Sequence, residues 1–253
     1  MVRRALQQLK LLTAPESVGA PLSGIDESAR QIVERVRPYT MTSDQRLIAL
    51  IDACRYIARH EIPGDVVECG VWRGGSMMTA ALTLQEAGAV RGLHLFDTFE
   101  GMTSPSDADV LGWGDRATAR ELLDADPERQ GLIWAVADLA EVEANMRATG
   151  YPLEDIHFVR GRVEDTIPDK APEMIALLRL DTDWYESTKH ELVHLFPRVS
   201  PGGVLLADDY GFWQGARRAV DEYLEEQGVP LLLHRVDFTG RMTVKPFAAW
   251  RND

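Results

Sequence analysis

Five acidic residues end or follow short apolar runs of the sequence, in a pattern that suits cation binding. They are Glu68, Asp97, Asp181, Asp208 and Asp209. In an open parallel sheet the carboxyl ends of the strands meet at one edge, and ligands bind there. We therefore expect these carboxylates to lie close together, where like charges repel one another strongly unless cations compensate them. The pattern predicts cationic ligands at this edge of a sheet.

The three acids furthest along the chain predict a divalent metal site. Asp181 follows the apolar run 174–180, and Asp208 and Asp209 follow the run 204–207. Carboxylate oxygens with no neighbouring His or Cys are hard ligands that suit Mg²⁺ or a similar ion. A single aspartate at such a place could instead cap a helix. Acids on two separate strand ends favour the metal interpretation.

A glycine-rich turn precedes the first predicted helix of the sheet region. Gly70, Gly74 and Gly75 follow one apolar run, the helix 77–87 comes next, and a second apolar run ends at Asp97. Glycines allow close approach of a ligand or a positive φ. An acid about 20 residues beyond such a turn accepts hydrogen bonds from ribose hydroxyls. The order predicts a nucleoside-binding βαβ unit, with an ordinary turn that binds nothing as the alternative.

The order of the glycines favours S-adenosylmethionine over a dinucleotide. A dinucleotide site requires G-x-G-x-x-G, whereas residues 70–75 read G-x-x-x-G-G. Glu68, just before the turn, would repel phosphate but suits a sulfonium or ammonium group. Residues 161–165 follow a third predicted strand and could flank the adenine, although Glu164 could equally be a solvated loop charge. The candidate cofactor residues are Glu68, Gly70, Trp72, Gly74, Ser76, Asp97, Thr98, Val163 and Glu164.

Composition narrows the class of protein. A chain of 253 residues fits one α/β domain with an appendage. A net charge of −13 argues against nucleic acid or an anionic membrane as the partner. Cys54 and Cys69 have no metal-ligand spacing and are typical of a reducing compartment. With no signal peptide and no run approaching the ~20 apolar residues of a membrane span, we expect a cytoplasmic protein.

Strands alternate with helices along most of the chain, which predicts a doubly wound, mostly parallel α/β sheet. We divide the chain into a helical cap over 1–62 and a sheet domain over 63–253. Within the cap, Ser43 is the expected N-cap of a helix over 44–61. The sheet domain closes with an antiparallel hairpin of 231–236 and 241–246. A weak strand is expected at 132–136.

The stretch 98–116 carries several glycines and aspartates together with large apolar residues. So long a loop inside a compact domain predicts a functional lid or a disordered segment. Met102 and Trp113 are candidate substrate contacts in this lid. Tyr39 and Met41 are candidate wall residues from the cap, and ordinary packing is the alternative for both.

The motifs resemble those of a known family, the class I S-adenosylmethionine methyltransferases of the macrocin O-methyltransferase type. The resemblance implies a seven-stranded Rossmann-like sheet and methylation of a deoxysugar hydroxyl on a bacterial natural product. It further implies a Mg²⁺ requirement and a homo-oligomer. The matching blocks are Val67–Ser76, Phe96–Gly101, Gly161–Pro168, Leu180–Tyr185 and Asp208–Tyr210.

The resemblance also implies roles for single residues. Asp181, Asp208 and Asp209 correspond to metal ligands. Separately from the resemblance, a ligand beside the reacting hydroxyl can accept its proton, which makes Asp181 the candidate base. More distant catechol methyltransferases carry a lysine base three residues after the first aspartate, where this chain has Trp184. A catechol-type enzyme for small phenolics, a nicotinamide-dependent oxidoreductase and a non-catalytic protein of the same fold are the alternatives.

Overall fold

The computed structural model describes residues 24–247, except 115 and 229. Residues 1–23 of the predicted cap therefore lie outside the described residues. The described residues form one seven-stranded sheet in the order β3-β2-β1-β4-β5-β7-β6. Its strands are β1 (Asp65–Cys69), β2 (Leu93–Asp97), β3 (Ile156–Arg160), β4 (Ile175–Leu180), β5 (Val199–Ala207), β6 (His234–Arg235) and β7 (Arg241–Val244).

Strand directions confirm the predicted doubly wound topology. The first five strands pair in parallel, and β7 pairs antiparallel with both β5 and β6. The predicted closing hairpin is present, but β6 is shorter than the expected 231–236. A helix connects β1 to β2 and another connects β4 to β5, so the strands of each pair run in the same direction. The carboxyl ends of β1, β2, β4 and β5 consequently meet at one edge.

Helices cover both faces of the sheet, so neighbouring residues of a strand point into different cores. Leu177 of β4 packs in one hydrophobic cluster with the cap helices, whereas Leu178 packs in another. This alternation follows from the strand period of two. The helices in the described residues are α1 (Glu27–Val36), α2 (Asp44–Arg59), α3 (Gly75–Glu86), α4 (Ala119–Asp124), α5 (Leu139–Arg147), α6 (Val163–Thr166), α7 (Tyr185–Leu195) and α8 (Gln214–Gln227). No described helix has both the length and the apolar character needed to cross a membrane.

The cap helices begin where polar side chains satisfy free backbone donors. Asp26 accepts a hydrogen bond from Ala29 N at the start of α1, and Ser43 accepts one from Arg46 N at the start of α2. Both helices bury apolar side chains in the same core as β1 and β2. The division into a cap and a sheet domain stays a prediction.

Two local predictions were wrong. The stretch expected as a weak strand forms a 3₁₀ helix over Leu132–Trp134 and does not belong to the sheet. Its apolar side chains Ile133 and Trp134 instead pack against the segment after β2. The turn expected at 161–165 includes the short helix α6.

The predicted lid is anchored to the helices beside the sheet. Leu111 of the loop forms an isolated antiparallel β-bridge with Trp213. Trp184 Nε1 donates a hydrogen bond to the Thr103 carbonyl oxygen over 3.1 Å. Asp109, which is fully buried, accepts hydrogen bonds from Ser106 and from Tyr185 N at 2.7 Å. The long loop is therefore ordered by buried polar contacts, and its role as a lid stays a prediction.

The Asp109 anchor makes the lid testable by proteolysis. Asp109→Ala leaves the partly buried Tyr185 N–H without its acceptor, which costs about 1–3 kcal/mol. We expect trypsin to cut after the exposed Arg116 about tenfold faster or more. Asp107→Ala is the matched control, because Asp107 is an exposed acid of the same loop. Equal cleavage rates in the two variants would show that Asp109 does not anchor the loop.

Candidate active site

A cleft opens above the carboxyl ends of β1, β2, β4 and β5. It contains about 1350 Å³ of unfilled space, part of it open to solvent. The cap segment 39–42, the glycine turn, the lid and residues 161–164 form its walls.

Two glycines of the turn are required by close backbone contacts. Gly70 has φ +82°, and a Cβ there would lie 2.0 Å from the Asp181 carbonyl oxygen. The turn can therefore approach the end of β4 only as glycine. Gly75 contacts the cap, because its Cβ would lie 2.6 Å from the Tyr39 carbonyl oxygen. This second contact, between the cap and the turn, places Tyr39 beside the cleft.

Asp97 connects the glycine turn to the start of the lid. Its Oδ2 accepts hydrogen bonds from Val71 N at 2.6 Å and Trp72 N at 3.1 Å. Its Oδ1 accepts one from Phe99 N at 2.7 Å. The carboxylate lines the cleft and retains lone pairs, so it can still accept a hydroxyl of a bound ribose.

Glu68 lies beneath the cleft and does not line it. Its side chain is 1% exposed, and its Oε1 accepts a 2.5 Å hydrogen bond from Arg179 Nη1. Burial raises the pKa of Glu68 to about 7, although the Arg179 charge opposes the shift. We expected a ligand to compensate this acid, but Arg179, its partner in the β1–β4 register, compensates it within the protein.

Arg179 also binds two of the acids proposed as metal ligands. It donates to Asp181 Oδ2 and to Asp208 Oδ1, each at 2.6 Å, and to Thr42 Oγ1 at 3.0 Å. We did not predict this role from the sequence. A signal was present, because a lone arginine within the apolar run 175–180 must be buried and therefore paired.

Asp181, Asp208 and Asp209 converge as the sequence predicts for acids at two adjacent strand ends. Each can offer one carboxylate oxygen, and these three oxygens lie within 4.8 Å of one another. Asp209 Oδ2 is buried with no hydrogen-bond partner among the described residues. An unpartnered buried oxygen beside two further carboxylates fits a hard divalent cation such as Mg²⁺. The three residues could therefore hold that ion.

Burial and neighbouring charges shift the pKa values of these three acids in different directions. Burial raises the pKa of Asp181 well above its usual range; the Arg179 charge opposes this shift, and Asp208 adds to it. Burial and the neighbouring Asp183 raise the pKa of Asp209 in the same direction. Burial alone would also raise the pKa of Asp208, but Arg179 and Arg46 outweigh it and hold that pKa below its usual value. Asp208 is thus the acid that the protein itself keeps ionised.

Aromatic side chains form the wall of the cleft next to these acids. Phe212 and Phe238 line the cleft, and Phe238 is 38% exposed. Trp113 of the lid does not line it but packs edge-on against both, with ring centroids 4.5 and 5.5 Å away. We did not predict Phe212 or Phe238, because neither lies in a motif that identifies it from the sequence alone.

Most candidate residues lie together around the cleft. The exceptions are Glu68, beneath its floor, Gly74, at the start of α3, and Trp113, behind Phe212. Trp184, which stands where catechol-type enzymes have a lysine, is 2% exposed and anchors the lid. The residues that do line the cleft are Tyr39, Met41, Gly70, Trp72, Ser76, Asp97, Thr98, Met102, Val163, Glu164, Asp181, Asp208 and Asp209.

The sheet order and the position of the cleft define the class I methyltransferase fold, and comparison with solved structures agrees. The O-methyltransferase NovP superposes with a TM-score of 0.71 at 26% sequence identity, over 97% of this chain and 100% of that one. The calicheamicin methyltransferase CalS11 superposes with a TM-score of 0.64 at 23% identity, over 96% of this chain and 91% of that one. The similarity to CalS11, at 23% identity, shows a shared fold only.

The family model of the macrocin-O-methyltransferases (TylF) matches residues 23–245, and the chain belongs to this family. A relative from Streptomyces olivaceus, the 8-demethyl-8-(2,3-dimethoxy-alpha-L-rhamnosyl)-tetracenomycin-C 4'-O-methyltransferase, is 34% identical over 80% of this chain and 74% of its own. The mycinamicin III 3''-O-methyltransferase of Micromonospora griseorubida is 32% identical over 80% of this chain and 76% of its own. The demethyldecarbamoylnovobiocin O-methyltransferase of Streptomyces niveus is 33% identical over 73% of this chain and 67% of its own.

Family membership makes this protein an S-adenosylmethionine-dependent O-methyltransferase. Of the predicted cofactors, S-adenosylmethionine is confirmed, and the predicted reaction class is confirmed with it. The nicotinamide-dependent oxidoreductase and the non-catalytic protein are thereby removed as alternatives.

Proposed function

We propose that the protein methylates a hydroxyl of a deoxysugar attached to a bacterial natural product, with Mg²⁺ or a similar divalent cation bound by Asp181, Asp208 and Asp209. The observation that carries this proposal is the convergence of these three carboxylates, within 4.8 Å, in the same cleft as the glycine turn and Asp97. The relatives' names support the sugar acceptor, since one names a rhamnosyl group of tetracenomycin C.

The aromatic wall supports an acceptor that carries an apolar group beyond the sugar. Phe238 is 38% exposed and Leu132 is 46% exposed, and both line the cleft. Exposed apolar residues grouped at a cleft are typical of a binding surface. A small phenolic acceptor would leave this wall uncovered, whereas an aglycone attached to a sugar would cover it.

Asp181 is the residue we propose as proton acceptor. A bound cation would supply positive charge that lowers the pKa of an acceptor hydroxyl. Asp181 has one oxygen, Oδ2, that accepts from Arg179 Nη1, and its side chain is 27% exposed towards the cleft. It can therefore take the hydroxyl proton while the hydroxyl oxygen forms a bond to the methyl carbon of S-adenosylmethionine. The methyl–sulfur bond breaks in the same step, which leaves the neutral thioether.

The proposed cofactor contacts divide between two walls of the cleft. Asp97 and the turn at Gly70 and Trp72 face the nucleoside, and Val163 and Glu164 at the start of α6 flank the adenine. Arg162 Nε lies 3.3 Å from Glu164 Oε2, which holds that side chain beside the cleft. Contacts on both walls would hold the methyl group near the acceptor oxygen and reduce the entropic barrier to transfer.

Product analysis with a panel of acceptors tests the proposal. The protein is incubated with S-adenosylmethionine, MgCl₂ and deoxysugar glycosides of several natural products, alongside catechols as the phenolic control. We expect a singly methylated glycoside by mass spectrometry, and no product when EDTA removes divalent cations. Methylation of the catechols alone would overturn the sugar assignment, and full activity in EDTA would overturn the metal assignment.

Two further predictions from the sequence stay open. The family resemblance implies a homo-oligomer, which light scattering of the purified chain measures directly. The cytoplasmic location likewise stays a prediction.

A further inference from the structure

Arg46, near the start of α2, is held between one acid of the proposed metal site and an acid of the closing hairpin. Its Nη1 donates to Asp208 Oδ2, and its Nε lies 3.0 Å from Asp237 Oδ2. The side chain is 14% exposed, Asp208 is 6% exposed and Asp237 is 12% exposed. Partly buried ion pairs of this kind act more strongly than surface pairs, because water screens them less.

Several neighbouring residues fix Arg46 in this place. Asp237 accepts hydrogen bonds from Ser43 Oγ at 2.7 Å, Thr239 N at 2.9 Å and Gly240 N at 2.6 Å. Gly240 also leaves room for the arginine, because a Cβ there would lie 2.9 Å from Arg46 Cδ. Segments from the cap and from the hairpin thus both contribute to the position of one guanidinium.

The arginines compensate the three acids of the site to different degrees. Asp208 accepts from Arg179 on Oδ1 and from Arg46 on Oδ2, so both of its oxygens face a guanidinium. Asp181 faces only Arg179 through one oxygen, and Asp209 Oδ2 has no partner among the residues described. Arg46 is therefore a positive charge in direct contact with the edge of the proposed cation site.

We infer that Arg46 is a positioning residue that acts as a fixed counter-ion, orienting Asp208 while weakening the affinity of the acid site for a divalent cation. This inference rests on the proposed use of a metal. A cation held by Asp208 experiences the like charge of Arg46, and at a few ångströms this repulsion is appreciable even at an effective dielectric constant of about 20. In return, Asp208 does not depend on a metal for compensation of its charge.

A purely structural role predicts the opposite result. If Arg46 only held Asp208 in place, its loss would let the carboxylate move and would weaken cation binding. If its charge dominates, its loss strengthens cation binding. The sign of the change in affinity therefore distinguishes the two roles without any measurement of catalysis.

Binding of Mn²⁺ alone, followed by electron paramagnetic resonance of the free ion, is the test. We expect Arg46→Gln to lower the Kd for Mn²⁺ about tenfold or more. Arg46→Lys keeps the positive charge that the inference invokes, so its Kd for Mn²⁺ should stay within about threefold of that of the unaltered protein. Arg37→Gln is the matched control, because Arg37 lies on the same side of the cap but pairs with Asp44 and contacts none of the three acids.

A second variant should change the Mn²⁺ affinity in the opposite direction. Asp237→Asn removes the negative charge that offsets Arg46, so we expect weaker Mn²⁺ binding than in the unaltered protein. It keeps the inference testable if Arg46→Gln does not fold, which circular dichroism reveals. Unchanged or weaker binding by a folded Arg46→Gln, or unchanged binding by Asp237→Asn, overturns the inference. Absence of Mn²⁺ binding in the unaltered protein would instead overturn the proposed metal site, and the inference with it.

Discussion

Asp181→Asn is expected to bind a divalent cation measurably, yet its kcat should fall about 10²–10⁴-fold. This is the usual contribution of general base catalysis. Asparagine retains an oxygen that can accept from Arg179 Nη1, as Asp181 Oδ2 does over 2.6 Å. It cannot, however, take up the acceptor's proton at neutral pH. No lysine is available in its place, since Trp184 stands three residues further along and is buried under the lid. The measurement is kcat at saturating S-adenosylmethionine over a series of Mg²⁺ concentrations.

Asp209→Asn is the matched comparison for this experiment. Asp209 offers an oxygen to the same site but is not proposed as the base. Its variant should lose cation affinity and regain most of its turnover as Mg²⁺ is raised. If Asp181→Asn regains its kcat at high Mg²⁺ in the same way, Asp181 is a ligand only and water removes the proton.

The sheet could be predicted because each strand has a local sequence pattern that identifies it. Buried parallel strands appear as short apolar runs, and turns and helix caps such as Ser43 mark where elements change. The strand prediction at residues 132–136 was wrong because it used the same signal, a short apolar run, that identified the true strands. Ile133 and Trp134 pack in a core, but this core belongs to the lid, and an apolar run alone does not reveal which core it joins.

The acids of the site could be predicted for a topological reason, whereas their partners could not. Asp181 and Asp208 end neighbouring parallel strands, so the fold itself places them side by side. Arg46 reaches Asp208 from a helix 162 residues away in the chain. Such a contact depends on how the cap packs against the sheet, which no local spacing records. Arg179 is intermediate, because its place within an apolar strand indicates burial but not which acids it binds.

The same limit applies to the wall of the cleft. Met102 was a reasonable candidate because it lies in an unusually long loop, and it does line the cleft. Phe212 lies just before α8 and Phe238 lies at the tip of the hairpin, and these two segments meet only in the folded chain. Part of the cleft wall is therefore formed by segments of the chain that the sequence motifs do not mark.

The affinity for S-adenosylmethionine should fall by about 1.5–3 kcal/mol in Asp97→Ala, the usual worth of hydrogen bonds to a charged group. The carboxylate is expected to accept hydrogen bonds from the ribose, and it also holds Val71 N, Trp72 N and Phe99 N in place. Its loss therefore removes direct contacts and loosens the turn that shapes the site. Isothermal titration calorimetry measures the affinity, and the thermal unfolding of the ligand-free variant measures the damage to the turn.

Asp65→Ala separates these two effects. Asp65 also accepts a backbone hydrogen bond, from Gly92 N at 3.1 Å, but it lies at the opposite end of β1 from the cleft. Its loss should lower the unfolding temperature while leaving the affinity for S-adenosylmethionine unchanged. If Asp97→Ala loses no more affinity than Asp65→Ala, Asp97 makes no contact with the cofactor, and its part in the protein is to join the glycine turn to the lid.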